Sequence, residues 1–350
     1  MDKQVIELLK RLIATPRTSR NETEAADLLE EQMRQWGLLP QRTGNNLWEI
    51  APGYDAKRPT LLLNAHIDTV KPVSAWTRDP FTPELTAEGK LYGLGSNDDG
   101  ASLVTLLATY CKLRDTQQAY NLIFVASAEE EVSGQNGISS VLPLLPPISV
   151  ALVGEPTGME PAIAEKGLMV LDCTAKGKAG HAARNEGDNA ITHAIEDIQW
   201  FNTFRFPEDS PLLGPVKMTV TIINAGTQHN VIPDTCTFTV DVRSNECYSN
   251  EEIYNMVREN VKSEVKARSF RLNSSRIDSN HPLLQRALSL GKTPFGSPTL
   301  SDQALMHFPS MKMGPGDSRR SHTADEFIMV SEVKDALQTY LKLLDGLSIV

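Results

Sequence analysis

Apolar residues near the start of the chain recur at helical spacing. Val5, Leu8, Leu9, Leu12 and Ile13 share one face of residues 1–15, which predicts an amphipathic helix. A second helical period runs over residues 21–36, with Asn21 read as its N-cap, Glu24 three positions on, and Gly37 as its stop. Continuous apolar runs follow at 60–63, 122–126 and 150–153, with helical stretches at 101–113 and around 138–145 between them. Strands without polar alternation have no wet face, so this alternation of strands with helices predicts a parallel sheet covered on both sides.

After Lys166 the period changes. Val216, Met218, Val220 and Ile222 alternate with Lys217, Thr219 and Thr221, and Cys236, Phe238, Val240 and Val242 alternate with Thr237, Thr239 and Asp241. Such strands bury one face, as antiparallel strands do. Helical stretches at 189–201 and 251–265 accompany them, and from His281 the earlier rhythm returns. A first domain at 1–166 and 278–350, interrupted by a smaller inserted α+β domain at 167–277, is the expected organisation, and 350 residues are long for one core.

Composition narrows the function. Hydrophobic residues at 40% and charged residues at 22% are ordinary for a folded globular chain. A net charge of -10 offers nucleic acid and anionic lipid no basic surface, so neither is an expected partner. Residues 1–15 lack a signal peptide's apolar core, and no apolar run is long enough to span a bilayer, which gives a cytoplasmic expectation. Cys111, Cys173, Cys236 and Cys247 are scattered without a C-x-x-C pair, so neither disulfides nor cysteine ligation is expected.

The chemistry collects where apolar runs end. The first run leads into His66-Ile67-Asp68, whose outer members project from one strand face and suit a metal-bound imidazole steadied by a carboxylate. The turn Gly93-Leu94-Gly95-Ser96-Asn97-Asp98-Asp99-Gly100 reads either as a capped helix entry or as the site of a carboxylate bridging two metals. The second run ends in Glu129-Glu130-Glu131, adjacent carboxylates that repel unless a cation or proton compensates, with Glu129 read as solvated. Glu155 follows the third run, and Gly314-Pro315-Gly316-Asp317 leads to His322. Each could be an ordinary loop, but together they put acids and histidines at the carboxyl ends of one sheet, where such sheets bind ligands. Mixed imidazole and carboxylate donors suit zinc, with cobalt or manganese in the same geometry, and a lone bridging carboxylate suggests two ions.

These motifs, in this order, resemble the aminoacylase and carboxypeptidase family of co-catalytic zinc hydrolases, in its acetylornithine deacetylase and succinyl-diaminopimelate desuccinylase branch. The resemblance covers nearly the whole chain, including Gly177-Lys178-Ala179-Gly180-His181 and Asn230-Val231-Ile232-Pro233-Asp234. It implies a zinc-exopeptidase-like α/β/α catalytic domain whose inserted domain acts as lid and dimerisation surface of a homodimer. It makes Asp98 the bridging ligand of two zinc ions, His66 and Glu155 the other ligands of one, and Glu131 and His322 those of the second. Glu130 becomes the general base, Asp68 the partner of His66, and His181 an oxyanion donor reaching a partner subunit's site. Asn230 and Arg243 would hold the substrate carboxylate, to which the planar arginine fork is suited. The implied reaction is hydrolysis of an N-acyl amino acid, first N-acetylornithine, as in arginine biosynthesis. Succinyl-ornithine and succinyl-diaminopimelate are the near alternatives, and a dipeptide or carboxypeptidase substrate the further one. Two departures stand out: Asp98-Asp99-Gly100 lacks the family's lysine, and Ala182-Ala183-Arg184-Asn185 lacks its usual proline. Of the remaining histidines, His193 is expected in a core or interface, His281 as a helix cap, and His229 and His307 in surface or core roles.

Overall fold

The three apolar runs become adjacent central strands of one sheet. A computed structural model describes residues 2–184 and 186–349; Met1 and Asn185, touched on in the sequence reading, lie outside the described residues. Thr60–His66 lies between Asn121–Ser127 and Val150–Val153, parallel to both, and Ser310–Lys312 runs parallel to Val150–Val153. Every residue of the first three strands is buried, so both faces of the sheet are covered as predicted. The flank departs from the expectation, because Asn46–Ile50 pairs antiparallel with Asn121–Ser127, and the sheet is mixed. A flanking strand needs no crossover helix, so a short antiparallel return is open to it.

Helix Ala101–Leu113 is buried along almost its entire length and packs on Thr60–His66, Asp2–Ile13 and Val330–Leu344, which accounts for its lack of a polar stripe. Its burial is a large share of the local stability, since each fully buried Leu contributes about 1.5–3 kcal/mol. Phe124, fully buried in the neighbouring strand, would cost about 3–5 kcal/mol if cut to Ala.

Four local expectations fail for identifiable reasons. The second helix is Thr23–Gln35, flanked by Glu22 rather than capped by Asn21; Glu22 is fully buried and accepts from the Arg20 and Glu129 amides. The stretch at 138–145 is only the turn Ile138–Val141 and the tighter turn Leu142–Leu144, because Pro143 and Pro146 forbid a longer helix. The expected 251–265 helix is Asn250–Asn260, opened by the reciprocal Ser249 and Glu252 capping bonds; Glu264–Ala267 is instead a strand paired with Met169–Lys176. Finally, Lys217–Ala225 alternates only as far as Val220, where a register shift leaves Ile222 and Ile223 both about half exposed.

The chain forms two compact units, Met1–Ile163 with Arg276–Phe295 and Ser301–Val350, and Ala164–Ser275 with Gly296–Leu300. The second holds a four-stranded antiparallel sheet in the order Lys217–Ala225, Thr235–Arg243, Met169–Lys176, Glu264–Ala267. Leu171, Cys173, Phe238 and Val240 form its core with Phe201 from helix Ala190–Thr203. The four cysteines are unbridged. Among the described residues no helix is long and apolar enough to cross a membrane.

Candidate metal centre

Strand register brings the polar ends together. His66 closes its strand opposite Ser127, so Glu129 to Glu131 emerge beside it; Glu155 follows Val153 on the other side, and 314–322 follows Lys312. Asp98 enters from the turn Ser96–Gly100, where the Asp98–Asp99 peptide bond is cis.

The side chains converge on two points. Asp98 presents Oδ1 to His66 Nε2 at 3.2 Å and Oδ2 to His322 Nε2 at 3.5 Å, the disposition a bridging carboxylate needs. His322 Nε2 also lies 2.9 Å from Glu131 Oε2, and Glu130 Oε2 lies 3.9 Å from His66 Nε2. Two sets have donor atoms within 4.8 Å of one another: His66, Asp98 and Glu131, and His66, Glu130 and Glu155. His66 is almost fully buried, whereas His322, at a left-handed φ of 59°, keeps 55% of its side chain exposed. Non-glycine residues hold that conformation at a cost, typically where a site dictates it.

Charge decides what the cluster can hold. Burial raises Glu130 well above the ordinary carboxylate range, and Glu155, Asp302 and Glu131 add repulsion. Glu155 is raised in the same way, by burial and then Asp98, and Glu131 by burial. The Glu131 hydrogen bond pushes His322 up to about 9. Protons therefore stand in for missing positive charge, and the buried Glu131 Oε1 has no hydrogen-bond partner among the described residues. Divalent cations between two imidazoles and these carboxylates would satisfy both deficits, so the donor set fits zinc, cobalt or manganese.

Residues 62–346 match the family model of peptidase family M20/M25/M40. The chain belongs to this family. It is 27% identical over 380 aligned positions to an acetylornithine deacetylase of Proteus mirabilis, covering 97% of this chain and 96% of the relative. It is 25% identical over 380 positions to a succinyl-diaminopimelate desuccinylase of Cereibacter sphaeroides, covering 97% of each. In fold it matches a tripeptidase from Staphylococcus aureus with a TM-score of 0.75, 20% identity and 98% of each chain covered. A dinuclear metal-binding M20 peptidase from Bacillus subtilis matches with a TM-score of 0.73, 18% identity and 99% of each chain covered. This M20 protein is a metal-dependent hydrolase.

The residues that steady this cluster hold one another differently from the sequence expectation, and Ser19, Asp302 and Glu326 carried no expectation at all. Asp68 was expected to hold the His66 ring through its carboxylate, but His66 Nδ1 is closer to the Asp68 main-chain oxygen, 3.0 Å against 3.6 Å to Oδ1. The Asp68 carboxylate accepts from Ser19 Oγ at 2.7 Å and from the Glu130 and Glu131 amides at 3.0 and 3.2 Å. Burial opposes its ionisation, but the adjacent His66 imidazole and the Ser19 hydroxyl outweigh that and its pKa is lowered. Glu326, buried, accepts from the amides of Gly95, Asn97 and Asp98 and so shapes the turn that carries Asp98. Asp302, buried and pushed up to about 6, accepts from Ser127 Oγ at 2.6 Å just ahead of Glu129 to Glu131. Glu129 is not solvated: it is buried at a φ of 55° and accepts from Asn136 Nδ2 at 3.0 Å. Asp68 and Glu129 lie inside the His66-Ile67-Asp68 and Glu129-Glu130-Glu131 motifs but with partners other than those expected; Ser19, Asp302 and Glu326 sit in short polar segments without a distinguishing period.

His181, Asn230 and Arg243 all belong to the second unit. Gly180–His181 pairs with Val231–Ile232, and the Ala182 amide donates to the Asn230 carbonyl at 3.0 Å, which brings His181 and Asn230 together on an exposed edge. The Ala183 amide donates to His181 Nδ1 at 3.1 Å, which leaves Nε2 for a ligand. Arg243 stands apart: the strand Thr235–Arg243 carries it on the order of 26 Å beyond Thr235, and its guanidinium donates to Asp241 at 2.9 and 3.2 Å. The two expected carboxylate holders thus do not converge within this unit. His281 caps helix Pro282–Ser289 as expected, its Nδ1 accepting from the Leu283 amide. His193, expected in a core or interface, is about one-third exposed and lies 2.6 Å from Asp188.

Proposed function

We propose that this M20 enzyme hydrolyses the amide bond of an N-acyl amino acid, N-acetylornithine first, at a two-zinc centre. The observation that carries the reading is the pair of contacts Asp98 makes to His66 and His322, with Glu130 beside them. Full-length similarity to an acetylornithine deacetylase supports the choice of substrate. In this reading Asp98 would be shared between two ions, with His66 and Glu155 holding one and Glu131 and His322 the other. Bound zinc would supply Lewis acidity, polarising the acyl carbonyl and lowering the pKa of the attacking water.

The chain's own groups do the rest. Glu130 takes the proton from the attacking water and returns it to the leaving amine; its burial among carboxylates already favours a proton-holding form. Asp68 fixes the Glu130 backbone and, through its main-chain oxygen, the His66 tautomer. His181 Nε2 donates to the developing oxyanion; because Asn230 and Arg243 do not converge within one unit, both would reach the substrate carboxylate only if a partner subunit supplied one of them. The exposed edge strand Lys217–Ala225, with Ile222 and Ile223 uncovered, supports a homodimer through the second unit, and a cytoplasmic location suits such a substrate.

The test is a panel of acetyl-ornithine, succinyl-ornithine, succinyl-diaminopimelate and dipeptides on zinc-loaded enzyme. The highest kcat/KM on acetyl-ornithine supports the reading. Faster succinyl substrates move it to a desuccinylase, and faster dipeptides overturn it in favour of a peptidase.

A further inference from the structure

Beneath the candidate metal centre lies a buried cation that the mechanism does not use. Arg17 is 1% exposed. Its Nη1 donates to the Ile67 carbonyl and its Nη2 to the Gly95 carbonyl, both at 2.8 Å. Ile67 sits between His66 and Asp68, and Gly95 lies three residues before Asp98. One guanidinium therefore ties together the two elements that carry the bridging carboxylate and the histidine facing it.

The surroundings are built for this side chain. The Thr69 amide donates to the Arg17 carbonyl at 2.9 Å and the Ser19 amide to the Thr69 carbonyl at 3.1 Å, so residues 17–19 run beside the strand end. A Cβ on Gly95 would run into the Arg17 guanidinium, and one on Gly100 into the Gly95 carbonyl that Arg17 holds, which gives two glycines of the turn a reason beyond backbone freedom. Asp68, Asp98, Asp99 and Glu326 surround it with negative charge. Burial pulls its pKa down to about 10, which still leaves it charged at neutral pH.

We propose that Arg17 is a positioning residue: its fork clamps the His66–Asp68 strand end to the Gly93–Gly100 turn, setting the spacing of His66 and Asp98 before metal arrives. This rests on the two-metal reading above. Two accounts of Arg17 predict opposite signs. A buried cation that acted only through its charge would repel incoming metal, so its removal would tighten zinc binding. A clamp that sets ligand spacing does the reverse, because a loosened ligand pair must be reordered on binding.

The experiment compares wild-type enzyme with Arg17→Lys and Arg17→Met by zinc titration against a chromophoric competitor chelator, alongside kcat and KM for acetyl-ornithine. Arg17→Lys keeps the charge but cannot span both carbonyls with a planar fork. Zinc affinity is expected to fall about 10- to 100-fold in both variants, as for other groups that orient ligands, with kcat falling and KM little changed. If Arg17→Met does not fold, Arg17→Lys decides alone. Zinc affinity in Arg17→Lys equal to or tighter than wild type overturns the clamp. A wild-type protein that takes up no zinc overturns the two-metal reading and the clamp with it.

Discussion

The strand-end cluster and the His181 segment carry the same kind of residue in opposite settings. His66 is 2% exposed, held at Nδ1 by the Asp68 carbonyl and faced at Nε2 by Asp98. His181 is exposed on a two-residue strand, and among the described residues its ring is held by the Ala183 amide alone. The first setting is preorganised, with donor atoms placed before a ligand comes, as metal binding requires. The second has its chemistry ready at Nε2 but little to hold it, as suits a group that engages substrate only when a complex assembles.

The contrast yields tests of decreasing size. Glu130→Gln should retain both metals and lose turnover by about 10²- to 10⁴-fold, since a carboxamide takes no proton; metal analysis beside steady-state kinetics separates the two effects. His181→Ala should lower kcat by about 10²-fold with metal content unchanged, the usual loss for one oxyanion donor. If a partner subunit supplies His181, mixing that variant with Glu130→Gln protein regenerates activity, because some mixed dimers contain one intact site. Wild-type kinetics in His181→Ala would reduce the contrast to burial alone.

Asp68→Ala should weaken zinc binding by about 10- to 100-fold, because it frees the Glu130–Glu131 backbone. Competitor titration reads that directly, and unchanged affinity would leave Ser19, Asp68 and the two amides as scaffold only.

The smallest effect is on stability against pH. In the metal-free fold burial pushes Asp99 and Glu326 up to about 7 and Asp302 up to about 6. The native state thus holds protons that the unfolded chain has already released, and stability falls as pH rises from the ordinary carboxylate range through about 7. His322 adds to the trend: raised to about 9, it contributes stability present below 6.5 that is lost as pH rises through 9. Metal binding runs the other way, because ligands must shed protons to coordinate. The zinc-induced rise in Tm should therefore grow by several degrees from pH 6 to pH 8, and a shift independent of pH would contradict the proton-for-metal exchange.

What was legible in the sequence follows the same division. Apolar runs ending in His66, Glu131 and Glu155 advertise buried strands whose last residues must be polar for a reason, so the cluster could be assembled before the fold was seen. Arg17 and Ser19 were illegible because a short polar segment has no period, and only its return alongside Thr69 gives those side chains their partners at Ile67 and Asp68. Glu129 misled because three adjacent acids look solvated, whereas its left-handed backbone turns its side chain inward toward Asn136. The helix expected through 265 failed where strand pairing with Met169–Lys176 overrode local propensity.

The central claim, that the strand-end cluster is a two-metal hydrolytic centre, is tested most directly by calorimetric zinc titration of chelator-stripped enzyme with acetyl-ornithine hydrolysis followed in the same samples. The account predicts two zinc equivalents bound, no turnover in the stripped protein and recovery as zinc is restored. Full turnover in excess chelator, with no zinc taken up on titration, would contradict it.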